Sequence, residues 1–346
     1  MKAAVLSDYD KTLNRPAFVT YQDVPNPVIE GPADVVVRIG AAGVCRTDLH
    51  IIEGLWRDRV PVKLPYIMGH ENAGWVEAVG NAVTSVKLGD AVICHPLLSN
   101  GATLAARRGN DMHAGGAFPG IDSNGGYAEL LKTAERALIK LPATLVPKDV
   151  APHADAGLTA YHAVKKAARH LLPGDYAVVI GAGGLGHIGI QVLRTLCAAE
   201  IIAVDRSDLA LNLAEESGAA HTVKANGDEV ERVLATTKGN GAEAVLDFVG
   251  EGDSVANGLK MTRNGGYYYI IGYGGRVEIS TMDMIVSEKT IVGNLVGTFS
   301  DLVELIALAE RGLVSLATRE YPLHDVNSAL RDLRDGKVKG RAVLVP

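Results

Sequence analysis

Tyr176-Ala-Val-Val-Ile-Gly181-Ala-Gly183-Gly184-Leu185-Gly186, followed by Ile201-Ile-Ala-Val-Asp205, decides the fold of this chain. An apolar, β-rich run enters Gly-x-Gly-x-x-Gly, residues able to form a helix follow, and a second apolar run ends in an acid nineteen positions after the last glycine. Each glycine has a mechanical task. Gly181 makes the tight turn out of the strand, Gly183 lets backbone approach a pyrophosphate, and Gly186 lets helix pack on strand. Gly184 and Leu185 belong to the same cofactor-binding turn. The pyrophosphate would sit on a helix N-terminus, where unpaired N–H groups and the dipole favour an anion. Asp205 would accept from the ribose hydroxyls and repel a 2′-phosphate, which favours NAD(H) over NADP(H). Arg206 leaves this open, since a neighbouring guanidinium can tolerate that phosphate, lie over adenine or simply be solvated.

With 346 residues, two domains are expected, each able to bury a core. A net charge of -6 gives no reason to propose nucleic acid or an anionic membrane as partner. The first ten residues carry no apolar signal-peptide core. The longest apolar run is the glycine fingerprint itself, interrupted by His187 and Gln191, so no membrane span is expected. Three cysteines, Cys45, Cys94 and Cys197, form no disulfide framework and suit a reducing compartment, so the expected localisation is cytoplasmic.

Short β-type runs at 1–6, 18–23, 34–41, 74–79 and 90–94, separated by Pro and Gly, predict an antiparallel, partly barrel-like start. From about Pro173 the rhythm becomes strand, helix, strand: 222–223, a helix near 228–237, 244–247, a helix near 254–261, then 267–271. That alternation predicts a parallel sheet covered by helices. Leu302, Leu305, Ile306 and Ala309, then Val326, Ala329, Leu330 and Leu333, are spaced as the buried stripes of two further helices.

Upstream stand Cys45-Arg46-Thr47-Asp48-Leu-His50 and Gly69-His70-Glu71. Cysteine, histidine and carboxylate are ligands that zinc accepts, and a catalytic site uses three of them and leaves a position open. Taken singly, Cys45 reads as a buried structural cysteine and His70 as an unrelated turn histidine. Their conjunction with a dinucleotide fold and a third candidate favours a metal site.

These segments, with Asp155-Ala-Gly-Leu-Thr159-Ala-Tyr161, the glycine fingerprint and the closing Gly340-Arg341, resemble the zinc-dependent medium-chain alcohol dehydrogenases essentially end to end. The resemblance implies an α/β plus β fold: a GroES-like catalytic domain over 1–156, a Rossmann domain with a doubly wound parallel sheet inserted at 157–296, and a return to the catalytic domain over 297–346. Substrate is expected to enter between them. The resemblance also implies one catalytic zinc on Cys45, His70 and Asp155, where many members have a second cysteine in place of this aspartate. Thiolate and carboxylate would balance the metal charge. A helix N-cap is the other role open to Asp155. Glu71 would be a fourth ligand in a resting state or a nearby carboxylate that tunes the metal.

In the same family pattern a zinc-bound alkoxide releases hydride to NAD+, and the proton leaves through Thr47, the nicotinamide ribose and His50. Asp48 would orient a ligand, Arg46 and Arg341 would reach the pyrophosphate, and Thr159 would lie beside the nicotinamide. Trp56, Cys94, Phe118 and Leu295 are candidate pocket-lining residues or core packing, and their apolar character favours an uncharged, fairly hydrophobic primary or secondary alcohol. The implied partners are small alcohols, aldehydes or ketones and further copies of the chain, as a tetramer or a dimer.

The chain departs from the pattern at the lobe that holds a second, structural zinc in many members. Asn100, Thr103, Ala106 and Ala114 stand where four cysteines would be, so no structural zinc is expected, and residues 100–118 are expected to be among the more mobile. Three alternatives to the alcohol dehydrogenase function are a polyol (sorbitol-type) dehydrogenase, a zinc-free quinone or enoyl reductase, and a non-catalytic nucleotide-binding protein. The retained Cys45, His70, Asp155, Thr47 and His50 speak against the last two.

Overall fold

The eleven-residue strand Asp34–Val44 is buried along almost its whole length, which suits its run of Val, Ile, Ala and Gly to the centre of a sheet. In the computed structural model, which describes residues 1–60 and 62–346, this strand organises the first of two units. That unit comprises Met1–Ala156, Thr298–Glu310 and Leu316–Pro346. Along one edge, Asp34–Val44 pairs with Glu71–Val79. Along the other it pairs first with Leu130–Ala134 and then with the C-terminal strand Arg341–Val345. The sheet continues through Ala91–Cys94 and Leu138–Lys140 on one side and Thr318–Pro322 on the other. All of these pairs are antiparallel except that of Thr318–Pro322 with Arg341–Val345. A smaller sheet joins Thr20–Asp23, Lys2–Leu6 and Tyr66–Ile67.

The register of the long strand positions the chemistry. Gly43 lies opposite Glu71, and Val44 lies opposite Ala342, so Cys45, Glu71 and Arg341 converge at one strand end. Gly43 has to be glycine here, because an added Cβ would lie 1.9 Å from Glu71 Oε2.

The second unit, Gly157–Gly297 with Arg311–Ser315, is a six-stranded, wholly parallel sheet. The strands run in the order His221–Lys224, Glu200–Asp205, Tyr176–Ile180, Ala242–Asp247, Thr262–Ile270, Thr290–Gly293. The order reverses between Tyr176–Ile180 and Ala242–Asp247, the switch point at which open α/β sheets bind ligands. The segment Arg311–Ser315 interrupts the C-terminal return because Ser315 and Gln191 exchange backbone-to-amide hydrogen bonds of 2.9 Å in each direction. Helix Thr281–Ser287 and strand Thr290–Gly293 have no counterpart among the sequence-predicted elements. The helix buries none of its residues, so it carries no core stripe to detect. Among the described residues, no helix is long and apolar enough to cross a membrane.

Residues 100–118 contain a one-turn helix, Leu104–Arg107, and a 3₁₀ turn, Asp111–His113. The Thr103 hydroxyl caps the helix by accepting from Ala106 N at 3.2 Å and donates to Ala114 O at 3.1 Å. It thus ties together two of the positions at which the family pattern has sulfur. Asp111 adds a tether by accepting from Phe299 N at 2.8 Å. Thr103→Ala removes both bonds of the hydroxyl and should cost about 1 kcal/mol in urea denaturation, with faster proteolytic nicking within 100–114. Unchanged nicking would show that the hydroxyl does not hold the lobe.

Candidate active site

Cys45 ends the long strand in extended conformation and leads into helix Arg46–Glu53. Asp48, in the first helical turn, reaches back to accept the Cys45 N–H at 2.8 Å, which fixes where the thiol leaves the backbone. His70 and Glu71 follow Gly69, whose φ of +98° turns the chain into strand Glu71–Val79. Asp155 sits between the 3₁₀ turn Ala151–Ala154 and helix Ala156–Ala167. These three segments bring one ligand atom each from Cys45, His70, Glu71 and Asp155 within 4.8 Å of one another, all four residues buried.

The His70 ring lies between two carboxylates, with Nδ1 3.4 Å from Asp48 Oδ1 and Nε2 3.5 Å from Asp155 Oδ2. Burial alone would lower its basicity, but the Asp48 charge and the contacts with Asp155, Asp48 and Cys45 outweigh burial and hold its pKa well above the usual value. Glu71 is fully buried and pairs with Arg341, itself 3% exposed. Arg341 Nε donates to Glu71 Oε2 at 3.0 Å, Nη2 donates to Oε1, and Ala156 N also donates to Oε1 at 3.1 Å. Burial raises the Glu71 pKa, and Arg341 opposes the rise. The family resemblance implies a pyrophosphate contact for Arg341; in this structure its guanidinium engages Glu71, a partner separated by 270 positions.

Three buried carboxylates, Asp48, Glu71 and Asp155, face one buried guanidinium, a thiol and an imidazole. The surplus of negative and soft donors fits a divalent cation, and thiol, imidazole and carboxylate together fit zinc.

Thr47 and His50 are three residues apart on helix Arg46–Glu53 and so share a face. His50 is buried, Thr47 half-buried and Arg46 exposed. Phe118 packs edge-on to His70 with ring centroids 6.2 Å apart. Trp56 packs against the core to which Cys94 belongs, and burial pushes the Cys94 thiol up to about 12, leaving it neutral. Leu295 is 48% exposed in the second unit, and Thr159 there is buried.

In the second unit, Gly181 has φ +84°, as the turn requires, and an added Cβ on Gly186 would lie 1.9 Å from Gly181 O. At Gly183 nothing lies within 4 Å of an added Cβ, so the backbone there is open to a close-approaching anion. Gly184 and Leu185 lead directly into helix Gly186–Leu196. Asp205 is fixed by accepting from Ala182 N and Ser207 N, each at 2.8 Å, and Arg206 is exposed beside it. This open turn, helix start and strand-end acid fit a dinucleotide.

Comparison with known proteins identifies the family. Residues 31–143 match the alcohol dehydrogenase GroES-like domain, and residues 184–311 match the zinc-binding dehydrogenase domain. The crystal structure of the alcohol dehydrogenase from the hyperthermophilic archaeon Aeropyrum pernix superposes with a TM-score of 0.96 at 43% identity, covering 100% of each chain. An alcohol dehydrogenase of Geobacillus stearothermophilus is 33% identical over 99% of each chain. A D-arabinose 1-dehydrogenase (NADP(+)) of Saccharolobus solfataricus is 34% identical over 100% of this chain and 97% of its own. The chain belongs to the zinc-type medium-chain alcohol dehydrogenase family. It is an oxidoreductase with a GroES-like and a Rossmann unit.

Replacing Arg341 by Met leaves Glu71 buried without its counter-charge and should cost about 3–5 kcal/mol in denaturant unfolding of metal-free protein. Arg341→Met with Glu71→Met should cost less than Arg341→Met alone. A double variant less stable than the single would show that the pair is not what holds this corner.

Proposed function

We propose that the chain is a zinc-dependent alcohol dehydrogenase that uses NAD(H) and one catalytic zinc per subunit to interconvert an alcohol with its aldehyde or ketone. The observation that carries this is the buried convergence of Cys45, His70 and Asp155. Zinc held there would act as a Lewis acid on the alcohol oxygen, and NAD+ would accept the hydride. The Asp48 carboxylate faces His70 Nδ1 as a charge at 3.4 Å, which would leave Nε2 for the metal. Glu71 has both oxygens engaged by Arg341 and Ala156, which favours a tuning carboxylate over a permanent ligand. Thr47 would accept the proton leaving the substrate hydroxyl as it passes its own to the nicotinamide ribose, and the ribose would pass one to His50, one turn on. On the second unit, Gly181, Gly183, Gly184, Leu185 and Gly186 cradle the pyrophosphate. Asp205 takes the adenosine ribose and favours NAD over NADP, with Arg206 on the adenine side. Arg46, exposed at its helix start, supplies a cation for phosphate, and Thr159 lies along the nicotinamide.

Phe118 against His70 supports a fairly apolar alcohol as substrate. A sugar or polyol is the second reading, favoured by the relatedness to a D-arabinose 1-dehydrogenase. The homo-oligomer, proposed as a tetramer, finds support in helix Thr281–Ser287. Its Met282, Ile285 and Val286 are 68, 73 and 70% exposed beside the edge strand Thr290–Gly293. The absence of thiolates at 100, 103, 106 and 114 supports a single zinc.

Elemental analysis of purified protein should give one zinc per subunit, and Asp155→Ala should lose most of the metal and at least about 10³-fold in kcat/KM. NAD+ reduction with a panel of simple, aromatic and polyhydroxy alcohols should favour the apolar members and NAD+ over NADP+. Full activity in Asp155→Ala would sink the ligand set, and preference for a polyol or pentose would select the second reading. In sedimentation velocity, Ile285→Glu should lower the assembly mass; an unchanged mass would remove this helix from the interface.

A further inference from the structure

Tyr127 stands at a junction that none of these roles uses. Its side chain is fully buried, and its ring packs on Gly69, where an added Cβ would lie 2.3 Å from Cδ1. Its backbone N–H donates to Met68 O at 2.9 Å, which binds it to the segment that carries His70. Its hydroxyl crosses to the other ligand-bearing segment, lying 2.7 Å from Asp48 Oδ2 and 3.2 Å from Gly43 O. A phenol has one proton, and the shorter, charge-assisted bond is the one to Asp48.

Asp48 therefore has two donors on one oxygen, the Tyr127 hydroxyl and the Cys45 N–H at 2.8 Å, and His70 Nδ1 facing the other at 3.4 Å. With the Cys45 N–H alone, Oδ2 is held from its own segment only. A second donor from a different segment fixes that oxygen more firmly, with Oδ1 on the side of His70. Burial and the Asp48 charge hold the phenol protonated, so it remains a donor.

We propose that Tyr127 is a positioning residue for the metal: by donating to Asp48 Oδ2 it fixes the carboxylate whose charge faces His70 Nδ1, favouring the ring orientation with Nε2 toward Asp155, and so slows metal loss. This rests on the proposal that Cys45, His70 and Asp155 hold zinc. The hydroxyl contacts Asp48 and Gly43 O and acts on the ligands only through Asp48. Phenylalanine would fill the same space against Gly69 and donate nothing.

The test is zinc release to excess chromogenic chelator from zinc-loaded wild type, Tyr127→Phe, Asp48→Asn and the double variant, with thermal midpoints of the metal-free forms as the folding control. Tyr127→Leu serves as a second packing variant without the hydroxyl. Both Tyr127 variants should release zinc about 10-fold faster than wild type, the lower end of what partners behind a metal ligand contribute. Because the tyrosine acts through Asp48, the double variant should release no faster than Asp48→Asn alone. In cobalt-substituted protein, Tyr127→Phe should also shift the ligand-field bands. Release at the wild-type rate, or additive effects in the double variant, would overturn the role of Tyr127. Wild-type protein that takes up no zinc would instead overturn the ligand set.

Discussion

Burying Asp48, Glu71 and Asp155 beside a thiol and an imidazole is the constraint around which the first unit is built. Each buried carboxylate costs several kcal/mol in lost hydration unless it finds charge or hydrogen bonds in return. Glu71 finds Arg341 and the Ala156 N–H. Asp48 finds the Cys45 N–H, the Tyr127 hydroxyl and the His70 ring. Asp155 and the Cys45 thiol face the shared centre, where a divalent cation would complete the balance. The sheet register makes this possible, because Gly43 opposite Glu71 and Ala342 opposite Val44 set cation, carboxylate and thiol side by side.

The two units differ in how far their chemistry could be read from the chain. The glycine turn is legible because every constraint on it is local: Gly181 must turn, Gly186 must pass close to Gly181 O, and Asp205 must end the next strand. The parallel sheet followed from the strand–helix alternation, and the family, with its domain boundaries, from several such motifs in order. Cys45, His70, Glu71 and Asp155 formed a group only through their conjunction with those motifs, since no single ligand has a distinctive local pattern.

What stayed hidden depends on long-range register. The Glu71–Arg341 pair joins strands 270 positions apart, and no periodicity announces it. Tyr127 looks like an ordinary core tyrosine until its hydroxyl is traced to Asp48. Thr103 was read only for the sulfur it lacks, while its hydroxyl spans the lobe to Ala114. Helix Thr281–Ser287 carries its apolar residues outward, so a rule that assigns such residues to the core passes over it.

The central claim is that one thiolate, one imidazole and one carboxylate hold a single zinc. X-ray absorption spectroscopy at the zinc edge of the purified protein tests it most directly, because sulfur and light scatterers separate by distance. One sulfur at about 2.3 Å with nitrogen and oxygen neighbours at about 2.0–2.2 Å is the predicted shell. Two or more sulfurs per zinc, or none, would contradict the Cys45, His70 and Asp155 centre.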